Sequence, residues 1–143
     1  MKKIAIVFWS GTGNTEAMAN CIAEGVRDAG GEAELFGPND FSANQLTSFS
    51  AVAFGCPAMG SEVLEEMEFE PMFSALESSL SGKNIALFGS YGWGDGQWMR
   101  DWCARCDDAG ANLLDENGLI VNDAPDGAGQ EACKELGRKL AAW

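Results

Sequence analysis

Residues 3–15, KIAIVFWSGTGNT, carry the reading that decides the fold. Residues 3–9 are a continuous apolar run with β-branched members, the pattern of a strand covered on both faces. Ser10 to Thr15 then place two glycines among small polar residues. Met18, Ile22, Val26 and Ala29 follow at near-helical spacing over residues 14–29, with Glu16, Glu24, Arg27 and Asp28 off that stripe. Gly30-Gly31 stops the helix. A buried strand that turns through glycines straight into a helix opens a βαβ unit.

Working outward, residues 32–36 alternate weakly as a strand, and residues 41–49 form a short helix or turn. Residues 51–56 (AVAFGC) and 84–90 (NIALFGS) are two further buried strands, each followed by a loop, at 57–62 and 91–96. Helical spacing returns through Pro71, Phe73, Leu76 and Leu80 before Ser81-Gly82. It returns again through Trp98, Trp102, Cys103 and Cys106 over 97–109, and through Cys133, Leu136 and Leu140 over 128–142. Residues 112–114 and 118–121 make a last, interrupted strand. Strand and helix alternate five times, which predicts a parallel sheet with helices on both faces. Right-handed crossovers make a doubly wound, three-layer α/β sandwich its natural form. No repeat or linker divides residues 1–143, so a single domain is expected.

Composition narrows the function. The 143 residues hold 22 Asp and Glu against nine Lys and Arg, a net charge of −13. That excludes a basic nucleic-acid footprint and disfavours anionic membranes, and it favours basic protein partners. Histidine is absent, which removes Ser-His-Asp and Cys-His catalysis and histidine metal ligands. The five cysteines are odd in number and irregularly spaced, so no disulfide framework is expected. Cys103 and Cys106 form a C-x-x-C in mid-helix on an apolar stripe, which reads as core and not as a redox or metal pair. With no long apolar run and no signal-peptide core after Met1, the expectation is a soluble, cytoplasmic, monomeric protein.

In a doubly wound sheet, ligands bind beyond the carboxyl ends of the strands. Three loops stand there, residues 10–15, 57–62 and 91–96. Gly11 and Gly13 allow close backbone approach, while Ser10, Thr12, Asn14, Thr15 and the helix start supply donors, which together suit a phosphate. No Gly-Lys-Ser/Thr follows, and Glu16 replaces the third glycine of the dinucleotide fingerprint. The loop has no Lys or Arg, so it suits a held monophosphate better than a transferred one. Trp93, between Gly92 and Gly94, can stack on a flat heterocycle, and Met59 offers a soft apolar surface. Gly60 lets the Gly60–Ser61 peptide take two orientations at little cost.

Taken together, Ser10-Gly11-Thr12-Gly13-Asn14-Thr15 after a short apolar strand, Cys56-Pro57-Ala58-Met59-Gly60, and Gly89-Ser90-Tyr91-Gly92-Trp93-Gly94 resemble the flavodoxins. The similarity spans essentially the whole chain and looks like the short-chain branch. It implies a five-stranded parallel sheet of order 2-1-3-4-5 and one non-covalent FMN. The phosphate is expected on Ser10, Gly11, Thr12, Gly13, Asn14 and Thr15, with help from Ser90. The ring is expected between Met59 and Trp93, within the loops Pro57-Ala58-Met59-Gly60-Ser61-Glu62 and Tyr91-Gly92-Trp93-Gly94. Glu62 is expected to accept from its pyrimidine edge, and N–H groups around Gly92 and Trp93 to reach its N1/O2 side. Asn122 and Asp123 are expected as ribityl or rim contacts. Pro57 stands where some members carry a phosphate-binding serine. The implied activity is low-potential one-electron transfer, cycling between semiquinone and hydroquinone and standing in for ferredoxin.

Physical chemistry supplies reasons for such behaviour. A Gly60–Ser61 carbonyl turned toward a protonated N5 adds a hydrogen bond worth about 1 kcal/mol. A further electron must enter beside an uncompensated phosphate in a protein of charge −13. At effective ε near 20 that repulsion is a few kcal/mol before screening, which lowers the last potential. Residues 61–126 hold 14 Asp and Glu against three Lys and Arg, and Glu62, Glu65, Glu66, Glu68 and Glu70 cluster after Met59. This acidic rim is expected to attract basic faces of redox partners, ferredoxin-type donors and acceptors. The other class on the same fold is an FMN-dependent quinone or nitro reductase. It needs a substrate pocket over the ring, which Trp93 is expected to block.

Overall fold

The computed structural model describes residues 2–143. Five short apolar runs become parallel strands because all are covered on both faces or lie at the sheet edge. These are β1 (Lys3–Phe8), β2 (Glu32–Phe36), β3 (Ala51–Gly55), β4 (Asn84–Tyr91) and a last position shared by β5 (Asn112–Leu113) and β6 (Leu119–Asn122). The order is β2-β1-β3-β4-β5, with β6 also on β4, as the resemblance implies. β5 pairs the start of β4 at Asn84 and Ile85, and β6 pairs its end from Phe88 to Tyr91. The interruption between them is a turn in which the Asp115 carboxylate accepts from Asn117 N, with Gly118 left-handed.

Five helices flank the sheet: α1 (Asn14–Asp28), α2 (Ala43–Leu46), α3 (Phe69–Leu76), α4 (Gln97–Asp108) and α5 (Gly127–Ala142). The expected turn at 41–49 is the capping box of α2, where Ser42 and Gln45 bond reciprocally, preceded by a short 3₁₀ turn at Pro38–Asp40. Strand alternation splits the core into two layers. Ile4, Ile6, Ala53, Ala86 and Phe88 pack under α1 and α5 with Met18, Ile22 and Leu140. Ala5, Val7, Val52, Phe54 and Leu87 pack under α3 and α4 with Phe69, Phe73 and Trp102. Met18, Trp98, Trp102, Cys103 and Cys106 are all core, as expected. Burial pushes the Cys103 and Cys106 thiols up to about 11 and about 12, so neither is a ready thiolate. Among the described residues no cysteine is disulfide-bonded and no cluster suits a metal ion.

One expected boundary moves. Tyr91, read as the start of a loop, is the last residue of β4, because β6 extends the ladder to Asn122. The site therefore rests on a longer rigid strand.

Candidate functional site

The loops after β1, β3 and β4 meet at the C-terminal edge of the sheet. The first is built by the strand-to-helix turn. Gly13 caps α1 in a left-handed conformation, φ 97°, where a side chain is strained. The Ser10 hydroxyl accepts from Gly13 N at 3.1 Å and Glu16 N at 3.3 Å, which curls the loop around its own hydroxyl. The N–H groups of Gly11, Thr12, Asn14 and Thr15 meet no acceptor within the described protein. They form an anion cradle at the positive end of a 15-residue helix. Thr15 and Ser90 are buried, and their hydroxyls lie 3.1 Å apart, which ties the first loop to β4.

The second loop is a tight turn in which Met59 and Val63 exchange both backbone bonds at 3.0 and 3.1 Å. Gly60 sits at φ 45° and Glu62 at φ 57°, the latter unusual for a residue with a side chain. The Glu62 carboxylate accepts from Gln97 N at 3.0 Å, at the positive start of α4, and rests against Gly94. It thereby joins the second loop to the third. The second loop is anchored from behind by Ala58 N donating to Ser90 O and by Glu65 N donating to the buried Cys56 Sγ.

A cavity of about 260 Å³ opens between these loops. Its walls come from Ser10, Gly11, Thr12, Asn14 and Thr15, from Pro57, Ala58 and Met59, and from Ser90, Tyr91, Gly92 and Asp123. Gly13, Gly60, Ser61, Glu62, Trp93, Gly94 and Asn122 lie outside that lining. Trp93 is 63% exposed, a large apolar side chain free beside the cavity loop. Asn122 reaches the site indirectly, its amide donating to Tyr91 O at 3.2 Å.

Trp9 also lines the cavity, and its ring packs within van der Waals reach of Gly11. It was not among the expected site residues. The signal was present: period-two alternation puts Trp9 on the face of Ala5 and Val7, at the strand end nearest the loop. Glu65 needs the opposite correction. It is not part of an exposed acidic rim but is 6% exposed, its carboxylate accepting from Met67, Glu68 and Phe69 N, each at 2.8 Å. Glu70 is likewise engaged, bidentate with Arg105.

The chain matches the family model described as Flavodoxin over residues 6–139. The chain belongs to the flavodoxin family. It is 48% identical to the flavodoxin of Clostridium beijerinckii, covering 95% of this chain and 97% of that protein. It is also 48% identical to the flavodoxin of Megasphaera elsdenii, covering 96% and 98%. The solution structure of two-electron reduced Megasphaera elsdenii flavodoxin superposes with a TM-score of 0.89 over 98% of this chain and 99% of that one. As a member of this family the chain is an electron carrier that binds FMN non-covalently. The site fits that group: four unpaired amides without a competing cation suit a phosphate, and the adjoining cavity has apolar Met59 and Trp9 on its walls. No helix among the described residues is long and apolar enough to cross a membrane.

Proposed function

We propose that residues 1–143 act as a single FMN-binding unit, a monomer, that carries one electron at a time at low potential. The observation that carries this is the cradle of unpaired amides at 11–15 opening onto the Met59–Tyr91 cavity. FMN, when bound, supplies the one-electron chemistry. The residues of the chain hold and tune it.

Gly11, Thr12, Asn14 and Thr15 hold the phosphate through backbone N–H groups, with Ser10, Gly13 and Ser90 shaping the cradle. Its charge stays uncompensated because no Lys or Arg stands in the loop. Met59 and Trp93 would flank the ring, Glu62 would accept from its pyrimidine edge, and Asp123 would form the far rim, with Asn122 behind it on the Tyr91 carbonyl. The Gly60–Ser61 peptide, free of backbone bonds, would offer its carbonyl as an acceptor to the ring edge. The loop's lack of Lys or Arg and the protein charge of −13 would disfavour further negative charge at the ring.

The partners proposed are redox proteins with basic faces, and the location is the cytoplasm. The protein works as a carrier and not as a reductase with its own substrate, and Trp93, 63% exposed, is the side chain that would cover the outer face of the ring. The decisive experiment is stepwise anaerobic reduction of the FMN-loaded protein followed by visible absorption. Two separate one-electron waves are expected. A single two-electron wave overturns the carrier reading, and failure to take up FMN overturns the site.

A further inference from the structure

Two peptides in the loops after β3 and β4 are held very differently. In the second loop, Gly60 and Ser61 make no backbone bond, and a Cβ at Gly60 would meet nothing within 4 Å. Opposite, the Tyr91 carbonyl accepts two hydrogen bonds, from Asp123 N at 2.8 Å and from Asn122 Nδ2 at 3.2 Å. Both lone pairs of that oxygen are engaged.

Successive carbonyls along a strand point to opposite edges. Ser90 O points toward the loop after β3, where it accepts from Ala58 N, and Tyr91 O points toward β6. No described peptide bond is cis, so the Gly92 N–H lies anti to the Tyr91 carbonyl. It therefore points back toward the loop after β3, across the cavity that Tyr91 and Gly92 line, and it meets no acceptor within the described protein. The Asp123 bond continues the parallel ladder that pairs Tyr91 with Asn122, and the chain then leaves the strand through Asp123, left-handed at φ 57°. Asp is one of the few side-chain-bearing residues that take that conformation readily.

We propose that Asn122 and Asp123 are positioning residues, a clamp on the Tyr91–Gly92 peptide that keeps the Gly92 N–H a fixed donor to the flavin's electron-rich pyrimidine edge. One border of the site is thus free to turn while the other is locked. This rests on the FMN reading above and assigns to the exposed Asn122 a role through the backbone, not through contact with the cofactor.

The test compares FMN-loaded wild-type protein with Asn122→Ala and Asn122→Gln, reading Gly92 amide exchange and the FMN dissociation constant. Asn122→Ala is expected to speed Gly92 exchange and weaken FMN binding about fivefold each, the effect of one neutral hydrogen bond. Asn122→Gln, which restores an amide donor, is expected to recover part of both. Exchange at Ile22, a buried amide within α1 away from the cavity, is expected to stay unchanged, since a rise there as well would indicate general loosening and overturn the clamp. Unchanged Gly92 exchange and FMN affinity in Asn122→Ala overturn the clamp while leaving the FMN site intact. Failure of the wild-type protein to take up FMN removes the reading beneath it.

Discussion

At the scale of single residues, Glu65 and Gly60 show how neighbours in one acidic, glycine-containing loop do unrelated work. Burial raises the Glu65 pKa, but three backbone N–H groups at the start of α3 outweigh it and hold the carboxyl below its ordinary value. Its stabilisation is therefore fully present above the unfolded carboxylate value of about 4.3 and is lost as pH falls through the folded value. Glu65→Gln is expected to lower stability by about 1–2 kcal/mol at pH 7 in urea unfolding. The gap from wild type should narrow toward acid. Gly60 acts through backbone freedom: a methyl group there would meet no atom within 4 Å, but φ 45° is a conformation that side chains strain to adopt. Gly60→Ala is expected to leave FMN binding to the oxidised protein nearly unchanged. The spacing between its two one-electron potentials should shrink by roughly 40 mV, one hydrogen bond's worth. Redox titration checks this. Glu65 was legible as an acid but not as a cap, because only the path of α3 brings three free N–H groups onto it.

At the scale of elements, the decisive contact is between α1 and α5. A Cβ at Gly25 would lie 1.9 Å from Lys134 O, and one at Gly137 would lie 2.1 Å from Ile22 O. The helices can touch backbone to backbone only because both positions lack a side chain. Gly25→Ala and Gly137→Ala are each expected to cost about 1–3 kcal/mol, read as a lowered Tm, because the obstructing atoms are main chain and cannot rotate away. Periodicity located both helices within a residue or two of their ends. It said nothing of their closeness, since a glycine inside a helix reads from sequence as a mere weakening. The ion pairs of Arg105 in α4 with Glu70 of α3 and with Glu77 just beyond its end were similarly invisible, because 35 and 28 residues separate the partners. The three ligand loops were legible because each motif is contiguous, and strand order then carries them to one edge.

At the scale of the whole molecule, the charge of −13 and the cofactor set behaviour that no single residue does. Electron transfer to a basic redox protein is expected to slow as salt rises from low to physiological strength, because steering is screened over about 8 Å. A rate independent of salt would remove steering from the proposal. FMN binds only the folded cradle, so a hundredfold excess over the dissociation constant is expected to add about 2.7 kcal/mol of stability. Comparing Tm with and without FMN measures it. The sequence by itself determined the alternation of strands and helices, the three loop motifs and the overall charge, because these depend on spacing between near neighbours. Tertiary structure alone decided that Glu65 is withdrawn from the acidic surface. It also decided that Asn122 and Asp123 grip the Tyr91 carbonyl. These depend on which distant segments the sheet order brings within bonding distance, and hydrogen bonds reach only about 3 Å.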